Sequence, residues 1–274
     1  MKTDLTINVE LATEILTAFI HSETTRAGFQ KAVVGVSGGI DSALSCVLAA
    51  KALGAQNVLA VRMPYRTSSP DSLEHAQLII DQFGVQSITI PITDMADGLI
   101  EKFPDMSNQR KGNIMARCRM IVLYDQSSIF NGLVVGTSNK TEILLGYSTL
   151  YGDSACALNP LGDLYKTQLR QLATAMQVPQ VIVEKAPTAD LWAGQTDEGE
   201  LGFTYAEVDK LLYLLVDERY KPAECVEAGF SKEFVDKVVE RIRRSHFKRV
   251  MPPIAKLSNR TVGYDFLYLR DWGT

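Results

Sequence analysis

Ser37, Gly38, Gly39, Asp41 and Ser42 follow directly on a strand-like run, Val33-Val34-Gly35-Val36, and lead into a helix-forming segment that starts at Ile40. Residue types in this order suit a phosphate. Glycines let successive backbone N–H groups turn toward an anion, the hydroxyls of Ser37 and Ser42 add donors, and the following helix presents its positive end to the same point. Asp41 needs a different account. A carboxylate among phosphate oxygens repels them unless a divalent cation lies between, so Asp41 reads as a Mg²⁺ ligand. No Lys follows the second glycine and no G-x-G-x-x-G spacing is present, which sets aside a Walker loop and a dinucleotide fingerprint. Glu142 follows Thr137 by five positions across a strand-to-helix junction, where a second metal carboxylate could reach the same phosphates.

The loop resembles the pyrophosphate loop, Ser-Gly-Gly-x-Asp-Ser, of ATP pyrophosphatases, which cleave ATP between the α and β phosphates to adenylate a substrate. Four further segments narrow the resemblance: Met63-Pro64-Tyr65-Arg66-Thr67-Ser68-Ser69-Pro70, Asn113-Ile114-Met115-Ala116-Arg117-Cys118-Arg119-Met120, Gly136-Thr137-Ser138-Asn139-Lys140-Thr141-Glu142 and Pro187-Thr188-Ala189-Asp190-Leu191-Trp192. Together, and in this order, they resemble the signature blocks of the ammonia-dependent NAD synthetase family. The resemblance implies conversion of deamido-NAD to NAD through an acyl-adenylate, with ATP, Mg²⁺ and ammonia consumed or used and AMP and pyrophosphate released. It implies Mg²⁺ ligation by Asp41 and Glu142, with Lys166 completing the catalytic set. Gly35, Ser37, Gly38, Gly39, Asp41 and Ser42 match ATP-binding positions, as do Arg66, Thr137, Lys166 and Thr188. Asn113, Arg117 and Lys248 fall on the substrate side.

Taken by themselves, several of these residues have a second reading. An isolated Lys near a helix start, as Lys166 is, ordinarily lies in solvent. Arg117 and Arg119 lie two apart on a helical segment and do not share a face, so one can enter a site while the other holds an ion pair, for instance at a subunit interface. Asn113 could cap a helix instead of touching substrate. His246-Phe247-Lys248-Arg249 resembles the family's C-terminal His-Lys-Arg segment with one residue displaced, and cations also gather at helix C-termini to complement the dipole. Two departures stand out. Leu150 precedes Tyr151-Gly152-Asp153 where many ammonia-using members carry Lys, and Ala157 stands where they carry a substrate-binding Asp. The Thr149-to-Asp153 version looks more like the synthetase part of glutamine-using members.

Apolar runs rich in β-branched residues at 32–36, 57–62, 87–92 and 133–136 alternate with helical patterns at 42–53, 72–83, 94–103 and 110–130. That alternation predicts an α/β fold, a doubly wound parallel sheet covered by helices, and the resemblance makes it adenine-nucleotide alpha-hydrolase-like. Ligands of such sheets bind beyond the carboxyl ends of the strands, where the 37–42 loop and Gly136-Thr137 both fall. Leu11, Ile15, Phe19, Leu16 and Ile20 predict an amphipathic packing helix before the first strand. Tyr205–Val216 and Ser231–Arg244 predict a helical C-terminal extension. Residues 1–274 are read as one domain: an N-terminal helix in 1–30, a nucleotide-binding core over 31–200, and a helical part with a tail over 201–274. The Gly194–Glu200 stretch reads as a lid or a solvated connection, and the apolar tail beyond Pro252-Pro253 as a packed one.

The chain has 274 residues, 46% of them hydrophobic, enough for a full core. A net charge of −4 gives no general attraction to nucleic acid or to an anionic membrane. Cys46, Cys118, Cys156 and Cys225 form no C-x-x-C pair, so reduced structural thiols and a cytoplasmic location are expected. No run of about 18 apolar residues predicts a membrane span, and no signal-type core opens the sequence. The absence of an amidase nucleophile set points to ammonia as the nitrogen donor. The resemblance implies a homodimer with the 110–130 helix at or near its interface. Two other functions remain: another adenylating pyrophosphatase, such as a tRNA-modifying thiolase, and a non-catalytic ATP-binding sensor. Missing cysteine pairs and acidic charge oppose the first, and Glu142 opposes the second.

Overall fold

Val33 of strand β1 (Ala32–Gly35) packs into one apolar cluster while Ala32 and Val34 pack into another, the period of two expected of a strand buried on both faces. Our computed structural model describes residues 3–266 apart from Ala189 and Ala193. Helix α1 (Val9–Arg26) leads into β1, and α2 (Ile40–Leu53), β2 (Val58–Arg62), α3 (Pro70–Phe83), β3 (Gln86–Thr89), α4 (Thr93–Ile100), α5 (Asn108–Phe130) and β4 (Leu133–Val135) follow. The four strands are all parallel, in the order β3-β2-β1-β4. Chain progression therefore runs outward from β1 to β3 and then returns to the other side of β1. The reversal lies between β1 and β4, the place where open α/β sheets bind ligands.

Beyond β4 come α6 (Lys140–Leu145), α7 (Lys166–Ala175), α8 (Gln180–Val183), α9 (Asp197–Leu201), α10 (Tyr205–Leu212), α11 (Pro222–Glu227) and α12 (Lys232–Arg244). Three apolar clusters hold these elements. Val34, Leu44, Leu48, Ile79, Leu169 and Leu172 join α2, α3 and α7 to one sheet face. Val33, Val61, Ile92, Met115 and Val122 join α4 and α5 to the other. Leu145, Tyr165, Val208, Leu211, Val235 and Val238 form a third cluster, in which α6 meets α10 and α12.

The α1 stripe behaves differently from expectation. Ile20 is fully buried and Leu16 packs partly beside it, whereas Leu11, Ile15 and Phe19 stand 52%, 57% and 37% exposed. The helix meets the core along its Ala12–Leu16–Ile20 side, and its larger apolar residues face outward. Strand β3 is exposed throughout, as befits the edge of the sheet. Part of the predicted Gly194–Glu200 connection is helical, since α9 starts at Asp197 with Thr196 capping it. The apolar tail is described only to Phe266, where Met251 and Leu257 lie exposed; Trp272 lies outside the described residues. Among the described residues, no helix is long and apolar enough to cross a membrane.

Candidate active site

A cavity of about 1010 Å³ opens beyond the carboxyl ends of β1 and β4. Its floor is the turn between β1 and α2. Gly38 there has a φ of +77°, and a Cβ on it would sit 2.2 Å from the Ser72 carbonyl oxygen, so glycine alone fits this approach to α3. The Ser42 hydroxyl donates to the Gly39 carbonyl (2.9 Å) and accepts from the Ser37 N–H (3.1 Å), which fixes the turn from within. Gly39 caps α2 with no side chain of its own, leaving first-turn N–H groups of the helix turned toward the cavity. A buried bond from Ser45 Oγ to the Gly136 carbonyl (2.9 Å) ties α2 to the end of β4.

Lys166 lies at the centre, 2% exposed at the start of α7. Its Nζ donates to Asp41 Oδ2 at 2.5 Å and to Glu142 Oε1 at 3.2 Å. Asn139 places both carboxylates. Its Nδ2 donates to Asp41 Oδ1 (2.8 Å), while its Oδ1 accepts from the Glu142 N–H as half of a capping box on α6. Thr141 and Asp209 place Lys166. The Lys166 N–H donates to Thr141 Oγ1 (3.1 Å), whose hydroxyl donates to the buried Asp209 carboxylate (2.6 Å).

The electrostatics of this cluster are unbalanced. Burial pushes the Glu142 carboxyl up to about 8 against the pull of Lys166, with the negative charges of Asp41 and Asp197 adding to the rise. Burial alone would lower the Lys166 ammonium, but Asp41 and Glu142 outweigh it and hold the group above its ordinary value. One cation thus faces three carboxyl groups, and the rise at Glu142 reflects a shortage of positive charge that a divalent ion would offset. Asp41 and Glu142 are the residues that could hold Mg²⁺, through hard carboxylate oxygens. Among the described residues no group of three or more His, Cys, Asp or Glu side chains forms a metal cage, so phosphate and water oxygens would complete the coordination.

Arg117 and Arg119 both line the cavity, although they leave α5 about 200° apart. Arg117 donates to the Leu150 carbonyl (3.2 Å) and Arg119 to the Met63 carbonyl (3.1 Å), because α5 runs along the cavity and long side chains reach it from either flank. The outward ion pair considered for Arg119 gives way to this bond. Asn113 does not cap α5, which begins at Asn108 behind Ser107; its Oδ1 accepts from Thr149 Oγ1 (2.7 Å) at the cavity wall. Lys248 Nζ donates to the Gly146 and Ser148 carbonyls (2.8 and 2.6 Å), at the end of α6, and the residue lines the cavity.

Gly35, Ser37, Gly39, Ser42, Thr137 and Thr188 also line it. Gly38 lies buried behind the turn, and Arg66 is held elsewhere. An ion pair to Asp97 keeps Arg66 beside a separate cavity of about 180 Å³. Leu150 meets Arg117 through its carbonyl, and Ala157 serves the sheet edge by donating its N–H to Val134. Sequence reasoning missed Asp197, Tyr147, Tyr205 and Asn139. Only Asn139 carried a local signal, the Asn-x-x-Glu spacing of a capping box; the others arrive from distant elements.

Known proteins are similar to this chain over nearly its whole length. The family model for NAD synthase matches residues 12–252. A relative from Trichlorobacter lovleyi named NH(3)-dependent NAD(+) synthetase is 58% identical over 269 residues, covering 98% of each chain. The solved NH3-dependent NAD synthetase of Campylobacter jejuni, a complex with the nitrate ion, superposes with a TM-score of 0.78 at 33% identity, over 91% of this chain and 100% of that one. The solved NMN synthetase of Francisella tularensis gives a TM-score of 0.81 at 30% identity, over 91% and 99%. With the phosphate turn, its carboxylate pair and the switch-point cavity all in place on the matched segment, the chain belongs to the NAD synthase family.

Proposed function

We propose that this protein amidates deamido-NAD to NAD, using ATP and ammonia. The observation that carries the reading is Lys166 held between Asp41 and Glu142 over the phosphate turn, with Arg117 and Asn113 across the same cavity. The substrate carboxylate attacks the α-phosphorus of ATP, and pyrophosphate leaves. Ammonia then attacks the acyl carbon, loses a proton, and expels AMP. A carboxylate is a poor electrophile because oxide would have to leave, and adenylation replaces oxide by phosphate. The N–H groups of the α2 turn and the Lys166 ammonium hold the phosphates, and the walls align the two reactants. Mg²⁺ held by Asp41 and Glu142 would supply further positive charge to the phosphoryl oxygens.

In this reading residues 1–274 act as one synthetase domain, because the cavity draws on the 31–200 segment and on Arg241 and Lys248 beyond it. A homodimer through α5 and its surroundings is supported by Ile121, Tyr124 and Ile129, large apolar side chains that α5 leaves exposed although its Met115, Cys118 and Val122 are buried. Light scattering across a dilution series checks this: a species that stays monomeric at high concentration refutes it. Cytoplasmic residence fits four free cysteines, three of them buried.

Product analysis tests the reaction. Purified protein with deamido-NAD, ATP, Mg²⁺ and ammonium is expected to give NAD, AMP and pyrophosphate in equal amounts, and glutamine in place of ammonium is expected to give none. ATP bound without turnover would identify a sensor. A parallel arm with nicotinate mononucleotide addresses the NMN synthetase neighbour, and faster turnover of the mononucleotide would overturn the dinucleotide assignment.

A further inference from the structure

Asp197 belongs to none of the groups that the phosphate turn or the substrate side require, yet it is buried at the cavity and joins three segments around it. Its backbone N–H donates to the Pro187 carbonyl (3.0 Å), next to Thr188. Its Oδ2 accepts from the Tyr205 hydroxyl (3.1 Å) and its Oδ1 from the Tyr147 hydroxyl (3.1 Å). Tyr205 is the surface on which Lys166 rests, with Nζ 5.1 Å from the ring centroid. Tyr147 extends from the segment whose Gly146 and Ser148 carbonyls hold Lys248, and the single proton of its hydroxyl is shared between Asp197 and Glu200, which lies nearer at 2.5 Å.

We propose that Asp197 is a positioning residue for adenylation, acting through the Tyr205 hydroxyl to hold the ring that fixes the Lys166 ammonium. Lys166 has long, flexible methylenes, and two carboxylates hold its ammonium. The Tyr205 ring bounds it as well, and a ring held at its hydroxyl cannot slide away. Tyr147 gives Asp197 a second anchor, so the carboxylate that holds Tyr205 is itself fixed. A displacement near 1 Å of a group that positions reactants costs up to about a hundredfold in rate.

The inference rests on the proposed amidation, and one set of variants separates the two. Tyr205→Phe keeps the ring and removes only the tether. It is expected to slow pyrophosphate release in a single turnover between about tenfold and a hundredfold, with KM for deamido-NAD within about twofold of wild type, under conditions where the variant is fully folded. Asp197→Ala is expected to lose at least as much, and Tyr205→Phe combined with Asp197→Ala no more than Asp197→Ala alone, since both cut one tether. Asp197→Asn keeps an acceptor and is expected to retain more activity than Asp197→Ala. Multiplicative losses in the double variant overturn the inference, as does a Tyr205→Phe enzyme at wild-type rate. So do losses that track the urea midpoint, which mark a purely structural role. Should wild type itself release no pyrophosphate with deamido-NAD, the amidation reading falls and this inference with it.

Discussion

Lys166 is a buried cation whose partners are both acids, and such a pair is asymmetric in its energetics. Forming it stabilises little after desolvation, but removing one member strands the other charges in a low-dielectric site at a cost of about 3–5 kcal/mol. Lys166→Met is therefore expected to lower the urea-unfolding free energy by about that amount, and Glu142→Gln added to it should restore part of the loss. A double variant as unstable as the single one would show that the stranded carboxylates are not the cause. Cys46 gives a second residue-scale expectation. Burial pushes its thiol from 9.0 up to about 12, so it presents no thiolate near neutrality. The unfolded chain ionises this thiol first, so its contribution to stability is complete below about pH 9 and is lost progressively as pH rises toward 12. Alkylation of native protein at pH 8 should spare Cys46 and reach the partly exposed Cys156 first; mass spectrometry of the labelled peptides decides it.

The turn between β1 and α2 works as an element because α3 backs it. Gly38→Ala places a methyl group against the Ser72 carbonyl at a positive φ, so the turn must move away from α3. A rise in the KM for ATP is expected, together with a loss of about 1–3 kcal/mol in stability. Unchanged ATP kinetics in that variant would mean that the turn does not hold nucleotide. The β-branched runs and glycine punctuation made β1, β2, β4, α2, α3 and α5 legible in the sequence, since each rule involved acts within a dozen residues or so. α1 was legible as a helix but not in its facing, because Leu11 and Ile15 continue its apolar pattern around the side that the core leaves open. Arg119 was misread for a related reason. Helical spacing fixes where a side chain leaves the backbone, whereas a cavity running along α5 lets it bend back. Asp197 and Tyr205 could not be found by spacing at all, for their meaning comes from Lys166, on a different helix and more than a turn of sequence away.

At the scale of the whole molecule, the sheet supplies the phosphate turn and the C-terminal helices bring Asp197, Glu200 and Arg241 to the same cavity. Tyr165 and Lys166 adjoin in sequence, yet Tyr165 packs into the α6–α10–α12 cluster while α7, which Lys166 begins, packs its Leu169 and Leu172 against the sheet. The junction of the two packing units therefore runs through the residue that holds the carboxylates together. Separate packing predicts that each unit opens by itself, with a fluctuation that loosens α10 carrying Tyr205 off Lys166 while β1 and β2 stay closed. Amide hydrogen exchange should then sort into two tiers, with β1 and β2 protected to the global limit and α10 and α12 exchanging sooner. A non-hydrolysable ATP analogue, gripped from both sides of that junction, should slow exchange in α10 and α12 far more than in the strands that carry the phosphate turn. The nucleotide would act as the fastener between two halves that fold with different strength.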